Sequence, residues 1–451
     1  MPTIDKESPR AVLVGIQLPD VSDAEHLSSL AELARLGKTL GFNVVAEVKQ
    51  KRATLAPAAV LGEGKLLELA RWTGGSGVVP SGVPAHRRRD ADAEADEESA
   101  VDPLPASERA EVVLVDHDIS PSQARNLERA CGAEVLDRTA VILAIFQRHA
   151  RTREAALQVE IARLAYITPR LRETGGGADR QGGGIGAKGA GETKHELDRR
   201  RVRDRIAELR EELAGIEKDA EHRRARRAAN TTVAIVGYTN AGKSSLMRAL
   251  TGSNLLVADR LFATLDTTVR ALYPETKPRI LISDTVGFIK KLPHDLVASF
   301  RSTLAEARDA SLLMQVVDAS DPAFREQMQV TLNVLEELQA LEAPRLLVLN
   351  KADRLDAAAR AACVEEFPDA VLLSAKSAED VARLHDQIIA FFERDMVDEE
   401  IFVPYAQQRL VNTVHEACRV LAETHDEHGT RMRLRAKPEV VAKLQAQLGT
   451  A

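Results

Sequence analysis

Cysteine is scarce in this 451-residue chain: Cys131, Cys363 and Cys418 are the whole complement, far apart and odd in number. That count excludes a disulfide framework and a cysteine-rich metal site, and it fits a reducing compartment. Long apolar runs are missing too. None reaches the ~18 residues of a membrane span, and Asp5 and Glu7 stand where a signal peptide needs a basic start and an apolar stretch. Neither sign of charge dominates, with 61 basic against 68 acidic residues and a net charge of -7. This argues against a wholly basic nucleic-acid coat, but it averages over local patches. The hydrophobic share of 44% is enough for ordinary cores. The length exceeds what one core usually supports and suggests about three domains. A soluble cytoplasmic protein is the expectation.

From Ala11 to about Arg138, short apolar runs alternate with helical patterns. The runs are Ala11–Val14, Phe42–Val45, Val112–Val115 and Val135-Leu136, and the helical stretches are Ala24–Lys38, Lys65–Ala70 and a proline-capped start at Ser120. The alternation predicts an N-terminal parallel α/β domain over 1–138. Within it, residues 72–108 turn to Gly, Pro, Ser and a charged block, and are expected to be a disordered insertion. Residues 139–230 read as two long helices, Thr139–Leu171 and Glu192–Arg227, joined by a loop at 175–191 that holds nine glycines. Val202, Ile206, Leu209, Leu213 and Ile216 make one apolar seam, which predicts an antiparallel coiled-coil hairpin. Arg199, Arg200, Arg201, Arg203, Arg205, Arg223, Arg224, Arg226 and Arg227 are interleaved with acids, so a solvated helix face and a phosphate-binding surface are both open readings.

Residues 231–394 carry five apolar strands, at Val233–Val236, Ile280–Ser283, Leu312–Val317, Leu346–Leu349 and Val371–Leu373, mostly separated by helical segments: a doubly wound P-loop domain. Residues 395–451 predict a small α+β domain, with strands at Ile401–Val403 and Arg431–Arg435 and helices over Gln407–Thr424 and from Glu439.

The chemistry is concentrated in four motifs of the third segment: Gly237-Tyr-Thr-Asn-Ala-Gly-Lys-Ser244, Asp284-Thr-Val-Gly287, Asn350-Lys-Ala-Asp353 and Ser374-Ala-Lys376. Gly237 and Gly242 let the backbone of Tyr238, Thr239, Asn240 and Ala241 wrap a phosphate chain, and a helix starting near Lys243 points its amides at the anion. Lys243 should reach the β- and γ-phosphates, and Ser244, followed by Ser245, should hold Mg²⁺. Asp353 can accept from the ring N–H and exocyclic amine of guanine, donors that adenine lacks, which selects GTP and GDP. Asn350, Lys351 and Ala352 complete that loop, and Ser374, Ala375 and Lys376 should present an amide to the guanine oxygen. Asp284, Thr285, Val286 and Gly287 read as the sensor of the γ-phosphate. Phe262-Ala263-Thr264-Leu265-Asp266 lies in the interval of a first switch loop. Thr264 is the candidate second Mg²⁺ ligand, with Thr267 and Thr268 as rivals. Lys243, Asn240, Thr264 and Gly287 are the catalytic candidates. Position 288 is phenylalanine, where a water-orienting glutamine would suit the reaction, so slow intrinsic hydrolysis is expected. Asn240 is an oxygen ligand suited to a monovalent cation, K⁺; support of the loop alone is its other reading.

These motifs, together with Leu261-Phe-Ala-Thr-Leu-Asp266 and Phe288, resemble those of the HflX family of ribosome-associated GTPases. So do Leu61-Gly-Glu-Gly-Lys65, Ser120-Pro-Ser-Gln-Ala-Arg-Asn-Leu-Glu128, Leu136-Asp-Arg-Thr139 and Gly189-Ala-Gly-Glu-Thr-Lys-His-Glu-Leu-Asp-Arg-Arg200, the more diagnostic stretches. The resemblance runs along nearly the whole chain. It implies a GTP hydrolase that binds the large ribosomal subunit, both rRNA and ribosomal proteins, and splits or rescues stalled or idle ribosomes under stress. It also implies a monomer when free. Under it, the 175–191 loop would extend toward rRNA, with Arg170, Arg172, Arg180, Lys188 and Lys194 beside it to meet phosphates. The alternative is a cation-dependent GTPase of RNA modification or ribosome assembly. A tRNA-modifying enzyme would be expected to bring a substrate domain and a C-terminal cysteine, and a membrane-signalling GTPase a lipidation or basic anchor; neither is visible.

Overall fold

Apolar runs bounded by capped helices build a four-stranded parallel sheet in the first part of the chain. The strands are β1 (Arg10–Gln17), β2 (Asn43–Lys51), β3 (Val112–Val115) and β4 (Glu134–Asp137), in the order β2-β1-β3-β4. The helices between them are α1 (Asp23–Leu40), α2 (Glu63–Thr73) and α3 (Pro121–Cys131), followed by α4 (Arg138–His149) and α5 (Arg153–Ile167). The structure is a computed structural model and describes residues 8–56, 58–79, 104–172, 194–227, 231–253, 261–262, 268–291 and 306–449. It divides into two compact units, one through Leu213 and one from Ala214 onward.

In the first unit, the motifs that look least chemical turn out to be structural joints. Ser120 caps α3 by accepting from the Gln123 amide, while the Gln123 side chain accepts from the Ser120 amide, a reciprocal capping box with Pro121 in the first turn. Gln123 Nε2 also donates to Ala56 O at 3.1 Å and Asn126 Nδ2 to Ala58 O at 2.9 Å, pinning the loop that leads to Leu61. Leu136-Asp-Arg-Thr139 ends β4 and starts α4. Asp137 accepts from the Ala140 amide, from Tyr166 Oη at 2.7 Å and from Arg170 Nη2 at 2.6 Å. Arg138, 1% exposed, donates to Asp116 at 2.7 Å and to Glu32, and Ser29 Oγ donates to the other oxygen of Asp116. Three buried charged groups therefore join β3, α1 and α4. Burial pushes the Asp137 carboxyl up, with its hydrogen bonds opposing, and burial together with the Asp137 charge raises the Tyr166 phenol.

Two expectations change here. The long helix expected over Thr139–Leu171 is broken at Ala150-Arg151-Thr152: α4 ends at His149, and Thr152 caps a new helix by accepting from the Ala155 amide. Residues 72–79 and 104–108, expected to belong to a disordered insertion, are instead described and held to their surroundings. Trp72 lies in α2 against the core, Val79 packs there too, Leu104 N donates to Arg71 O and Ala110 N to Trp72 O. The charged block at 87–98 lies outside the described residues, as does the glycine-rich loop at 175–191 with Arg180 and Lys188. Helix α6 (Lys194–Arg227) is the second long helix, and Leu209 of its seam is 2% exposed. The Arg153–Glu212 ion pair sets the start of α5 beside the later part of α6, the register of an antiparallel hairpin. Arg201 pairs with Asp198 and Arg205 with Glu208 along the helix surface, as a solvated face does.

The second unit holds a six-stranded sheet and a three-stranded one. The first comprises β5 (Thr231–Gly237), β6 (Thr268–Ala271), β7 (Ile280–Asp284), β8 (Leu312–Asp318), β9 (Arg345–Asn350) and β10 (Val371–Leu372), ordered β10-β9-β8-β5-β7-β6. All are parallel except β6, an edge strand antiparallel to β7 that the pattern reading missed. Among the described residues its helices include α7 (Lys243–Thr251), α8 (Phe324–Glu337), α9 (Ala357–Glu366) and α10 (Ala378–Glu393). The central strand β5 is buried along nearly all its length, so its end delivers residues 237–242 to a fixed place. The last sheet comprises β11 (Val397–Pro404), β12 (Arg419–His425) and β13 (Gly429–Ala436), antiparallel in the order β11-β13-β12, with α11 (Arg409–Ala417) and α12 (Pro438–Gly449). Here the helix expected over Gln407–Thr424 stops at Ala417. Cys418 turns extended, and Arg419–His425 instead pairs with β13.

Candidate functional site

The site is built at the carboxyl ends of β5, β7, β8 and β9, where a doubly wound sheet offers its loops to a ligand. Residues 237–244 leave β5, make a tight loop and enter α7. Gly242 caps that helix at φ 96°, Asn240 sits at φ 60° and Gly237 at φ 150°. A Cβ on Gly242 would lie 2.2 Å from Asn350 Nδ2, and one on Gly237 2.1 Å from Val316 O, so the two glycines are required by space as well as by dihedral angle.

Lys243, 6% exposed, folds back so that Nζ donates to Gly237 O at 3.0 Å and Tyr238 O at 2.8 Å. Burial pushes its pKa down to about 8, opposed by the negative charge of Asp284. Ser244 Oγ donates to Asp284 Oδ2 at 2.7 Å, which brings the loop serine and the end of β7 together. Ser245 is half-buried and Ala241 buried in the same loop. Thr285 Oγ1 donates to Ile235 O at 2.8 Å, and Val286 is buried beside it, so the strand passes into Gly287 without slack.

Gly287 stands against the loop: a Cβ there would meet Thr239 Cγ2 at 2.8 Å and Lys243 Nζ at 2.9 Å. Beyond it, Phe288 is 1% exposed, and its backbone is tied on both sides. Its amide donates to Gly237 O at 3.1 Å, and its carbonyl accepts from the Thr239 amide at 2.7 Å. Tyr238 and Phe288 thus form an isolated parallel bridge, and the Tyr238 hydroxyl accepts from the Lys290 amide at 2.7 Å. Phe288 is thus a core residue whose backbone fastens the segment after β7 to the loop at 237–244.

The base-side motifs are brought together as expected. Asn350 donates from Nδ2 to Ala241 O at 2.9 Å and accepts at Oδ1 from the Ala375 amide at 3.0 Å, linking the loop of β5 to the loop after β10. Asp353 accepts from Ser374 Oγ at 2.7 Å and lies 3.4 Å from Lys376 Nζ. The Ser374 hydroxyl holds its carboxyl below the usual carboxylate range. Lys351, at φ 64°, pairs with Asp318 Oδ2 at 2.6 Å, and Ala352 is buried behind the loop. Asp318 and Asp380, which accepts from the Ser374 amide at 2.9 Å, are supporting residues the motif reading missed. Asp318 had a signal, a carboxylate ending a buried strand between two loops of the site.

Phe262 is buried at φ 57°, whereas Ala263, Thr264, Leu265, Asp266 and Thr267 lie outside the described residues. Thr268 begins β6 and pairs with Asp284 across the sheet edge. Arg170, proposed from the sequence to meet phosphates, is instead committed to Asp137 and stacks on Tyr166, 3.5 Å from the ring centroid.

Among the described residues, no helix is long and apolar enough to cross a membrane. Three family models match. One described as GTP-binding GTPase N-terminal covers residues 27–78 and 98–147, one described as GTP-binding GTPase middle region covers 149–227, and one described as 50S ribosome-binding GTPase covers 232–351. GTPase HflX of Gluconacetobacter diazotrophicus is 58% identical over 444 residues, 98% of each chain. GTPase HflX of Escherichia coli is 37% identical over 425 residues, 93% of this chain and 92% of that one. A GTP-binding protein from Sulfolobus solfataricus, solved in complex with GDP, aligns with 84% of this chain and 99% of its own at 22% identity and a TM-score of 0.42. The loop at 237–244, the end of β7 and the loops at 350–353 and 374–376 converge at one end of the sheet, and near-full-length identity links the chain to curated HflX proteins: it is a GTP-binding GTP hydrolase of the HflX family.

Proposed function

We propose that this GTPase works on the large ribosomal subunit and couples GTP hydrolysis to splitting or rescue of stalled or idle ribosomes. The observation that carries the nucleotide half of the reading is the pair of hydrogen bonds made by Asn350, one donated to Ala241 O and one accepted from the Ala375 amide, which ties the phosphate loop to the Ser374–Lys376 loop and so spaces a triphosphate cradle from the Asp353 carboxylate. In this reading the loop amides and Lys243 take the phosphates, and Asp353 accepts from the two guanine donors. Support for the partner comes from the matched model's description as a 50S ribosome-binding GTPase and from HflX relatives along 98% of the chain. The same reading takes the unbound protein as a cytoplasmic monomer.

The donor set fits a hard cation. Ser244 Oγ and the buried Asp284 carboxylate, 2.7 Å apart, are the oxygen ligands that would hold magnesium, which when bound neutralises charge on the β- and γ-phosphates. Thr264 is the expected third contributor. Asn240, half-buried and at positive φ in the loop, is the residue proposed to hold potassium.

The test is GTP turnover by the purified protein, alone and with isolated large subunits, in potassium and in sodium. A large rise with subunits is expected, together with a potassium requirement that Asn240→Ala removes. Turnover indifferent to subunits would leave a GTPase and direct the search to RNA modification or ribosome assembly. Replacing Asp353 by Asn should weaken GTP binding by roughly 10²-fold or more, because two hydrogen bonds to a charged acceptor are lost, and should favour xanthine, whose carbonyl suits an amide donor. Unchanged GTP affinity would remove Asp353 from the base clamp.

A further inference from the structure

We infer that the side-chain hydroxyl of Thr239 donates a hydrogen bond to the terminal phosphoryl group of GTP and supplies charge stabilisation that position 288 cannot give. The inference rests on the assignment of the 237–244 loop as the triphosphate cradle. Thr239 is 6% exposed, and among the described residues its Oγ1 is a buried hydroxyl with no hydrogen-bond partner. Such an atom is costly to leave unmade, and in native proteins it calls for a functional explanation.

Its surroundings say which ligand group would satisfy it. The Thr239 methyl Cγ2 and its Cα border Gly287, and Lys243 Nζ lies within reach of the same point, as the contacts of a Cβ built on Gly287 show; Oγ1 shares its Cβ with that methyl, so the hydroxyl stands within one side chain's reach of both groups. Lys243 and the Gly287 amide are the groups that flank the terminal phosphate in this cradle. The backbone of Thr239 is unavailable for that task, because its amide is committed to Phe288 O at 2.7 Å. The hydroxyl is thus the one donor that Thr239 can offer. Phe288, 1% exposed with its amide and carbonyl both bonded to the loop, can bring no polar group to the reacting centre.

In hydrolysis the water oxygen forms a bond to the γ-phosphorus while the bridging bond to the β-phosphate oxygen breaks. GDP leaves with the electron pair, and the water proton ends on inorganic phosphate. Charge shifts through the γ-phosphoryl oxygens and the bridging oxygen as this occurs, so a donor fixed on the γ-phosphoryl group favours GTP over GDP in binding and contributes to turnover.

The isosteric pair Thr239→Val and Thr239→Ser separates hydroxyl from methyl. The measurements are affinities for GDP and for a non-hydrolysable GTP analogue, GTP turnover with and without large subunits, and thermal midpoints with GDP bound. Thr239→Val keeps the packing against Gly287 and should keep GDP affinity within about 3-fold, while its preference for the GTP analogue over GDP and its turnover fall roughly 10- to 100-fold, the range of a hydrogen bond to a charged group. Thr239→Ser should retain both within about 3-fold. If Thr239→Val does not bind GDP, Thr239→Ala takes its place in the comparison. Wild-type preference and turnover in Thr239→Val would overturn the proposal, as would a loss in Thr239→Ser that Thr239→Val does not share, since the methyl group would then be the active part. Failure of the unaltered protein to bind either nucleotide would instead overturn the cradle assignment.

Discussion

At the scale of single residues, the phosphate loop depends on two atoms' worth of space. Gly242→Ala would place a methyl 2.2 Å from Asn350 Nδ2 at a φ of 96°, so it strains the loop and displaces the link to Ala241 at the same time. A loss of roughly 2 kcal/mol or more in GDP binding is expected, from the left-handed strain and a broken buried hydrogen bond, and titration with a fluorescent GDP derivative would measure it. Lys243 gives a pH dependence with a definite sign. Its pKa is about 8 in the folded chain against 10.5 ordinarily, so between those values the unfolded chain holds a proton that the folded one has released. From this group alone, stability rises with pH across that window. Phosphates entering the cradle reverse the preference and draw the proton back, so nucleotide affinity should weaken above about pH 8 with proton uptake on binding. Calorimetry in buffers of different ionisation enthalpy would reveal it, and binding without proton uptake at pH 9 would contradict the burial argument.

At the scale of elements, Phe288 shows what a motif can and cannot disclose. Its apolar side chain was legible as a missing water-orienting group, but its role as a buried tie between two loops depends on a backbone bridge that no residue pattern encodes. Replacing it by Gln should therefore fail to speed hydrolysis. It would bury an amide among apolar neighbours and cost about 2–4 kcal/mol, read as a fall in the thermal midpoint with unchanged or slower turnover. Turnover raised well above wild type would show that position 288 faces the reacting water after all. The parallel strands were legible because each is a short continuous apolar run between helices, as at Val233–Val236 and Leu346–Leu349. The edge strand Thr268–Ala271 was not, since it is half-exposed, four residues long and carries Arg270 at its centre. The helix over-extended to Thr424 failed for a related reason. Its later half, Arg419–His425, takes its conformation from pairing with β13, and tertiary partners override local preference. The candidate site residues lie in short motifs whose chemistry and spacing coincide, and the structure brings those at 237–244, 284–287, 350–353 and 374–376 together at the ends of neighbouring strands. Asp318 and Asp380 support that site from other segments and belong to no short motif.

At the scale of the whole molecule, the first of the two compact units carries a buried charge cluster of its own. The first contains a buried guanidinium between two buried carboxylates, Arg138 with Glu32 and Asp116. Arg138→Ala should destabilise it by about 3–5 kcal/mol, because it strands two carboxylates away from water. GDP affinity should stay unchanged, since none of these residues lines the cradle; a matching loss of GDP binding would contradict that separation. Stimulation of turnover by large subunits should fall steeply as salt rises if phosphates form much of the contact, and flat salt dependence would favour ribosomal protein over RNA. The bridge between Tyr238 and Phe288 has a consequence in time as well as in space. Because the amides of Thr239 and Phe288 bond across the same pair of segments, neither can meet solvent deuterium until the segments part. The two amides should therefore share one opening equilibrium and show equal protection against exchange, so that the loop at 237–244 and the segment after β7 loosen as a single event.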